Sequence, residues 1–414
     1  MHRITSAMSN GDLQGHLRLQ EYKLNRVTNQ LGTQQRLTRL AEDPIAAGHL
    51  VRYGSYLSRI NQFEENAKKI NDKLSMAEGY VNASLEIVQR VRELSVQAAN
   101  GTYTAEDLKV MAAETDQLLQ ELVQNANAIG PDGALLFAGS HTRGSAFDVE
   151  LGGRPGSPTP VITAVHYNGN VDSDKIEVDE TEFLHYSHSG DRIFWAESQR
   201  LFSDRDSSAY QVRADGTISV AGVQVKLKAG DNSAAIAAKI NDSGAAVRAS
   251  IDQATQGLNL ETTDARQLWL QDLDGTTLFD LGLINDATQR PPYNISPGAG
   301  VTGSSLFDVI IGLRDAMFSG DQEAIGGRIL GKLDQGLGNL TARLSELGAA
   351  SERAAFNARR NTMTAYNTET RIAREGDVDM SQAITDMKML EYVQQATMST
   401  AARLYSHSLL NYMR

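Results

Sequence analysis

Residues 74–101 read LSMAEGYVNASLEIVQRVRELSVQAANG, and this stretch decides the fold class. Its aliphatic residues recur every three or four positions, which is the spacing of an α-helix with one apolar face. The pattern stops at Asn100-Gly101, a pair typical of a helix C-terminus. The stretch therefore predicts a helix that ends near residue 100.

The same periodicity extends backwards as far as Asp43-Pro44. Asp43 can accept the free amide hydrogens of a helix start, and Pro44 suits the first helical position. The apolar positions are Tyr53, Leu57, Ile60, Ala67, Ile70, Leu74, Ala77, Val81, Val88 and Val91. A helix of about 55 residues would be roughly 80 Å long. Such a length is typical of a coiled coil or a rod.

A second helix is predicted directly after the first. Thr104 can cap its start with Asp107 as the reciprocal partner, and the turn at 130–133 ends the segment. The apolar face consists of Leu108, Met111, Leu118, Leu122, Ala126 and Ile129. Because the connection at 100–104 is short, the two helices should lie antiparallel.

Residues 149–300 have a different composition and a period close to two. Strands are predicted at 161–165, 176–178, 218–220 and 223–227. Asn168-Gly169, Asp215-Gly216 and Asp274-Gly275 are typical turn pairs. One short helix is predicted near 233–240. This part of the chain therefore reads as a β-rich insertion.

Helical periodicity returns at Leu306, breaks at 319–321 and then runs to Glu375-Gly376, and a last helix begins near Asp379. The predicted fold class is mainly α with a β-rich insertion. A long antiparallel helical rod would be formed by the N- and C-terminal segments, with an outward β domain. The expected domains are residues 41–148 with 301–375 as the rod, 149–300 as the insertion, and 1–40 with 376–414 as terminal coiled-coil polymerisation segments.

The terminal segments carry a narrow apolar stripe at heptad spacing, with Gln20 as its one polar member. Such a helix alone buries too little to offset its ordering entropy, so we expect residues 1–40 and 376–414 to be disordered in the monomer. The predicted polymerisation seam comprises Leu13, Leu17, Leu24, Val27, Leu31, Met387, Leu390 and Leu404. An ordinary intramolecular helix seam is the alternative explanation of the same pattern.

Composition excludes several function classes. The 414 residues carry 39 Lys plus Arg against 51 Asp plus Glu, and a net charge of −12 argues against nucleic-acid binding. There is no cysteine, hence no disulfide, thiolate nucleophile or cysteine-type zinc site. No apolar run is long enough for a membrane span, and the start lacks the apolar stretch of a secretory signal. Both chain ends are basic, which suggests that the ends have their own partners.

Motifs that carry chemistry are weak throughout the chain. His185 and His188 could form a metal pair, but no carboxylate is spaced to complete a site. The segment 272–275 begins like a calcium loop yet lacks the closing Glu, so an Asp-Gly turn explains it better. Phosphate-binding and nucleophile-elbow motifs are absent. The sequence predicts no enzyme, no cofactor and no metal.

Four stretches carry a family resemblance. Residues 89–102 (QRVRELSVQAANGT) resemble the most recognisable N-terminal stretch of the flagellin superfamily of bacterial flagellar axial proteins. Residues 42–47 (EDPIAA), 135–140 (LLFAGS) with Phe147, and 376–385 (GDVDMSQAIT) are similar to elements of its hook-associated protein 3 family. Ala146 replaces the proline that the family usually has, and Gly376 stands where an acidic residue is common.

The resemblance implies a structural subunit of the flagellum that joins hook to filament. It would be exported unfolded by the flagellar type III system, and it would contact copies of itself, other hook-associated proteins and flagellin. An export chaperone would bind the C-terminal segment, with Ile384, Met387, Leu390, Val393 and Leu404 as candidate contacts. The flagellum could be external or periplasmic. A filament flagellin is the alternative, and a secreted binding module that uses the Asp-rich region 170–215 is a rival from another class.

Overall fold

The computed structural model describes residues 6–39, 41–141, 143–153, 160–286, 288–291 and 293–412. The described chain is 55% helical with a central β-rich region, which confirms the predicted fold class. Two compact units share the chain. One is formed by residues up to 65 together with those from 357 onwards, and the other by residues 66–356.

Long helices occupy both ends of the sequence. The α-helices are α1 (Ser6–Thr33), α2 (Pro44–Ala98), α3 (Ala105–Ala126), α4 (Gly190–Ile193), α5 (Ser233–Asp242), α6 (Thr277–Asp280), α7 (Leu306–Ser319), α8 (Gln322–Ala324), α9 (Leu330–Gly376) and α10 (Met380–Tyr412). A π-helix, Ile325–Ile329, joins α8 to α9. The long helices begin and end close to the positions that the sequence predicts.

Side-chain caps explain several of these boundaries. The Asp43 carboxylate accepts the Ala46 amide at 3.1 Å, so Asp43 caps α2 as predicted. Thr104 and Asp107 form the predicted reciprocal capping box at the start of α3. Ser305 and Asp308 form a second box at the start of α7, which ends at a left-handed Gly320. Local sequence therefore sets where these helices begin.

The insertion holds the strands. They are β1 (Phe147–Gly152), β2 (Val161–Tyr167), β3 (Lys175–Asp179), β4 (Glu182–His185), β5 (Arg200–Phe202), β6 (Gly216–Val220), β7 (Val223–Leu227), β8 (Val247–Ile251), β9 (Leu258–Thr262), β10 (Leu270–Asp274) and β11 (Gly300–Thr302). The sequence predicts only β2, β3, β6 and β7. Among the other strands, β5 and β11 are three residues long and pair with segments far away in the sequence, so their local patterns carry little signal.

All strand pairs in the described sheets are antiparallel. Three strands form a sheet in the order β10-β6-β7, four form a sheet in the order β11-β5-β9-β8, and two hairpins pair β1 with β2 and β3 with β4. The two larger sheets and α5 enclose an aliphatic core, with members such as Ile218, Ile236 and Leu260. This core belongs to the insertion itself.

Within residues 66–356, α2 and α9 are antiparallel. Arg92 Nε lies 2.5 Å from Asp334 Oδ1, and Ser75 Oγ lies 3.3 Å from Ser351 Oγ. The two contacts are equally far apart along both helices, so a single register holds over this stretch. α2 also turns back into α3, and Arg90 contacts Glu114 at 2.7 Å across that antiparallel pair, as the short connection predicts.

Aromatic residues gather where the insertion leaves the helices. The rings of Phe137 and Phe194 are 5.5 Å apart, and the ring of Phe147 is 5.1 Å from that of Phe307 and 5.1 Å from that of Tyr167. These residues come from five separate segments of the chain. Ring packing of this kind stabilises beyond the area that it buries. The LLFAGS segment and Phe147 therefore serve the core at the base of the insertion.

Arg314 on α7 is the largest of the fully buried side chains. Its guanidinium contacts Asp116 of α3 at 2.7 Å and donates to the Ile162 carbonyl of β2 at 2.8 Å. Asp315 lies 3.0 Å away on the same helix. One buried cation thus joins two helices and a strand, and without it Asp116 and the buried Ile162 carbonyl would each lose a charged donor.

We expect Arg314→Ala to lower the free energy of unfolding of residues 66–356 by about 3–5 kcal/mol, because it removes a buried guanidinium together with its ion pair to the half-buried Asp116 and its hydrogen bond to the buried Ile162 carbonyl. Urea unfolding of the full chain measures the change. The control is Arg92→Ala, which breaks an exposed ion pair and should cost less than about 1 kcal/mol. Equal midpoints for the two variants would contradict this role for Arg314.

Candidate assembly surface

The N-terminal and C-terminal parts of the chain meet in the unit that contains α1 and α10. The Arg36 amide donates to the Gly376 carbonyl at 2.7 Å, and the Val378 amide donates to the Gln34 carbonyl at 3.1 Å. Gln34 adopts a left-handed backbone with φ of 57°. These bonds connect the residues after α1 with the residues before α10. α1 therefore ends close to the point where α10 begins, and the two helices run antiparallel from there.

Gln20 sets the register further along the pair. Its Nε2 donates to Thr397 Oγ1 at 3.2 Å, and the Thr397 hydroxyl in turn donates to the Val393 carbonyl at 2.7 Å. A polar residue within an apolar helix seam favours one register, because a shifted partner would leave it unpaired. The single polar member of the sequence stripe is thus the residue that joins the helices.

The predicted seam residues lie on the faces that bear this contact. Leu17, Leu24, Val27 and Leu31 of α1 are half-buried, as are Met387, Leu390 and Val393 of α10. Ala383 and Ala401 are buried on the same stripe of α10. Ile384 is exposed. The side chains of Leu13 and Leu404 are outside the described residues. Whether these residues drive polymerisation stays a prediction.

Large apolar side chains also point away from the seam. Tyr392 is 75% exposed and Met389 is 65% exposed, three residues apart on α10. Leu19 and Tyr22 have the same spacing on α1 and are exposed on its side opposite to the seam. Sequence reasoning missed these four residues, here called the outer apolar face, because they lie outside the heptad stripe. Their three-residue spacing is the signal that was available.

A groove lies beside the connection between α1 and α2. It has a volume of about 460 Å³, and its apolar lining comes from Leu37, Leu50, Val51 and Ile372. Val51 is exposed at its rim. The groove and the outer apolar face belong to the same compact unit. Exposed apolar surface of this kind marks interaction sites in soluble proteins.

Charged contacts stabilise the same connection. Backbone hydrogen bonds, above all that from Ala46, hold the pKa of Asp43 below its usual range, and Arg36 acts in the same direction. Arg36 Nε donates to the Glu375 carbonyl at 3.0 Å, and His49 Nδ1 lies 3.2 Å from the Glu375 carboxylate. Residues from both halves of the sequence thus surround the start of α2.

The segment 272–275, which begins like a calcium loop, has a structural role. Asp272 accepts the amides of Leu278 and Phe279 at 3.1 and 3.2 Å, so it caps α6 from within the insertion. Burial raises the pKa of Asp272. Within the described residues, no cluster of three or more histidine and acidic side chains could hold a metal ion. In the same part of the chain, no helix is both long and apolar enough to cross a membrane.

Three family descriptions match the chain. The bacterial flagellin N-terminal helical region matches residues 4–142, the flagellin hook IN motif residues 211–264, and the bacterial flagellin C-terminal helical region residues 330–413. Together they span more than half of the chain. The two helical regions that these names describe contain α1, α2, α3, α9 and α10. The chain belongs to the flagellin superfamily.

Individual relatives point the same way. The chain is 25% identical to flagellar hook-associated protein 3 of Escherichia coli over 205 residues, which are 50% of this chain and 61% of that protein. It is 26% identical to the Salmonella typhimurium protein of the same name, over 43% of this chain and 52% of that one. The chain thus spans about half to three fifths of the length of these relatives.

Other relatives carry different names. Flagellin FlaB2 of Treponema pallidum is 27% identical over 290 residues, which are 62% of this chain and 97% of that protein. Among solved structures, hook-associated protein 3 of Legionella pneumophila is similar with a TM-score of 0.46 and 18% identity, covering 78% of this chain and 97% of that one.

The register of the terminal helices can be tested because the chain has no cysteine of its own. Gln20→Cys with Thr397→Cys should form a disulfide under mild oxidation, since the two side chains are in contact. Gln20→Cys with Ser399→Cys is the control, because residue 399 lies about 200° further around α10. Mass spectrometry of the oxidised chains gives the yields. Equal yields would contradict the register.

Proposed function

We propose that this protein is a structural subunit of the bacterial flagellum that joins the hook to the filament. Terminal helices that pair with each other and leave a large apolar face uncovered carry the proposal. An isolated soluble chain gains nothing from exposing Tyr392 and Met389 to water, whereas a subunit can bury them against its neighbours. The proposal agrees with the names of the hook-associated relatives.

The proposed domain division follows from this role. Residues 1–40 and 376–414 would be terminal polymerisation segments that fold when neighbouring subunits cover them. Residues 41–148 and 301–375 would form the helical rod, and residues 149–300 the outer insertion. Coupled folding and binding keeps the free chains from polymerising early. The half-buried state of Leu24 and Leu390 supports this, because one partner helix does not fully cover either side chain.

Export through the flagellar type III channel is part of the proposal. A chain without cysteine can cross compartments unfolded without oxidation, which supports this route. An export chaperone would bind α10 through Ile384, Met387, Leu390, Val393 and Leu404. Met387 and Leu390 also belong to the seam with α1, so chaperone binding and helix pairing would exclude each other. The subunit would be located in the flagellum outside the cytoplasm.

The second candidate function is that of the filament subunit itself. The match to nearly the full length of flagellin FlaB2 favours it. The two functions differ in what their loss does to the flagellum. A junction subunit is needed for the filament to attach, whereas a filament subunit is the material of the filament.

Deletion of the gene separates these functions. We expect bare hooks by electron microscopy, with flagellin shed into the culture medium, because subunits would be exported without an attachment point. Immunoblotting of the medium provides the second readout. Absent filaments without flagellin in the medium would identify the chain as the filament subunit. Normally attached filaments would contradict both functions.

The two apolar faces can be tested separately in the deletion strain. Leu24→Asp with Leu390→Asp places charges in the seam, and Met389→Asp with Tyr392→Asp places them on the outer apolar face. Both double variants should abolish incorporation at the hook tip, measured by immunogold labelling, because a buried charge costs several kcal/mol. Phe183→Asp, on an exposed position of β4, should incorporate normally. Normal incorporation of either double variant would contradict the role of that face.

A further inference from the structure

A second cavity lies within residues 66–356, where the insertion meets α9. It has a volume of about 320 Å³ and is here called the joint cavity. Its lining includes hydroxyl, imidazole, carboxylate and guanidinium groups as well as aliphatic side chains. The charged and titratable residues that line it are His185, His188, Asp191, Arg192, Arg266, Arg343 and Glu346. No part of the proposed assembly function uses these groups.

Three buried polar atoms at this cavity have no hydrogen-bond partner among the described residues. They are Asp191 Oδ1, His188 Nε2 and Arg192 Nε. Asp191 is only 1% exposed. A carboxylate oxygen without a donor favours the protonated acid, and a buried imidazole nitrogen without a carboxylate partner favours the neutral ring. Geometry alone therefore indicates that both side chains resist carrying a charge.

The surroundings of Asp191 agree with this. Burial is the main cause that raises its pKa to about 6, and a hydrogen bond with Ser189 together with the charges of Arg192 and Arg266 opposes the increase. Asp264, on the loop after β9, acts in the same direction as burial. From β2, the Tyr167 ring packs nearby, and burial followed by the charge of Asp191 raises the Tyr167 pKa.

His188 is shifted in the opposite sense. Burial is the main cause that lowers its pKa to about 4, and the charge of Arg192 adds to the decrease. Glu346 of α9 opposes the decrease, whereas His185 of β4 and Lys73 of α2 strengthen it. These groups are the titratable and charged residues that face His188 from the elements packed around it. The neutral ring is therefore the stable form over most of the acidic range.

Both residues lie in the segment that fastens the insertion to α9. Asn339 Nδ2 of α9 donates to the carbonyls of Arg192 and Trp195, each at 2.8 Å. Arg343 Nη2 lies 2.7 Å from the Asp264 carboxylate, while Arg192 Nη2 lies 3.5 Å from Glu346. A charge that appears inside the joint cavity would act directly on this network.

We propose that Asp191 and His188 form an acid-compensating pair, which keeps the attachment of the insertion to α9 at nearly constant strength in mildly acidic surroundings. As the pH falls, Asp191 takes up a proton in the folded chain before it would in the unfolded chain, and this stabilises the fold. His188 takes up a proton in the unfolded chain first, and this destabilises the fold. The two effects have opposite signs in the same pH range.

The sign and range follow from the two pKa values. The stabilisation by Asp191 grows as the pH falls from about 6, the pKa of Asp191 in the folded chain, towards 3.8, the pKa of a free carboxyl group. The destabilisation by His188 grows as the pH falls from 6.5, the pKa of a free imidazole, towards about 4, the pKa of His188 in the folded chain. Each pKa differs from that of the free group by somewhat more than two units. Each residue alone would therefore change the equilibrium between the attached joint and the joint opened between the insertion and α9 by roughly a hundredfold.

Single substitutions should reveal the opposite pH dependences that the two residues give to the stability of the joint. Asp191→Asn should make the joint open roughly a hundredfold more, relative to wild type, when the pH is lowered from 6.5 to 4. His188→Gln should make it open roughly a hundredfold less over the same range. Hydrogen-exchange protection factors of the Gly190 and Phe194 amides, which donate to Phe137 and Gly190 carbonyls, report this opening.

Matched controls are available on the exposed surface. Asp172→Asn and His16→Gln remove the same kinds of titrating group from exposed positions and should follow the wild type at all pH values. Parallel pH dependence of the wild type and both cavity variants would overturn the proposal. If a cavity variant does not fold, NMR titration of the His188 ring in the wild-type chain decides. A midpoint near 4 supports the pair, and a midpoint near 6.5 overturns it.

Discussion

Pairing between the first and last parts of the chain is the constraint on which the rest of the structure depends. It occurs as α1 with α10 in one compact unit, and as α2 with α9 over the parts of these helices that lie within residues 66–356. In both cases the helices are antiparallel and a polar contact specifies the register. Everything between α3 and α7 is consequently a loop that leaves the helices and returns to them. Such an insertion can have its own core without disturbing the pairing.

At its base, the insertion packs directly against the helices. There, the aromatic rings around Phe147 and the buried cation of Arg314 connect strands of the insertion with α3 and α7. Two side chains of α9 also hold the insertion, since Asn339 donates to the segment after β4 and Arg343 pairs with Asp264 on the loop after β9. An apolar cluster, a buried ion pair and a polar network thus share one joint.

The two compact units use apolar residues differently. In residues 66–356 several large aromatic side chains are buried together, as Phe137, Phe194 and Phe307 are, although Phe183 and Phe356 are exposed. In the unit with the chain ends, Tyr22, Tyr366 and Tyr392 are exposed. Burial of such side chains requires a second surface, since the unit itself has no further element to cover them among the described residues. The unit with the least complete core therefore has the most to gain from neighbouring subunits.

The long helices, their caps and the nested order of helical and β-rich parts follow from local patterns in the sequence. Helix periodicity and caps such as Asp43, Thr104 and Asp107 are local signals, so they can be read without knowing the partner. Gln20 was also visible as the polar member of its stripe. Of the strands, only those with a clear alternation or turn pair could be predicted.

Tertiary structure alone decided what depends on distant residues. The short strands exist because remote segments pair with them, as β5 does with β9 and β11. Likewise, the outer apolar face is defined by which sides of α1 and α10 their pairing covers. Asp191 and His188 are ordinary polar residues in the sequence. Their shifted pKa values arise because folding buries the two side chains, and desolvation of a charge is a property of the environment that no local pattern encodes.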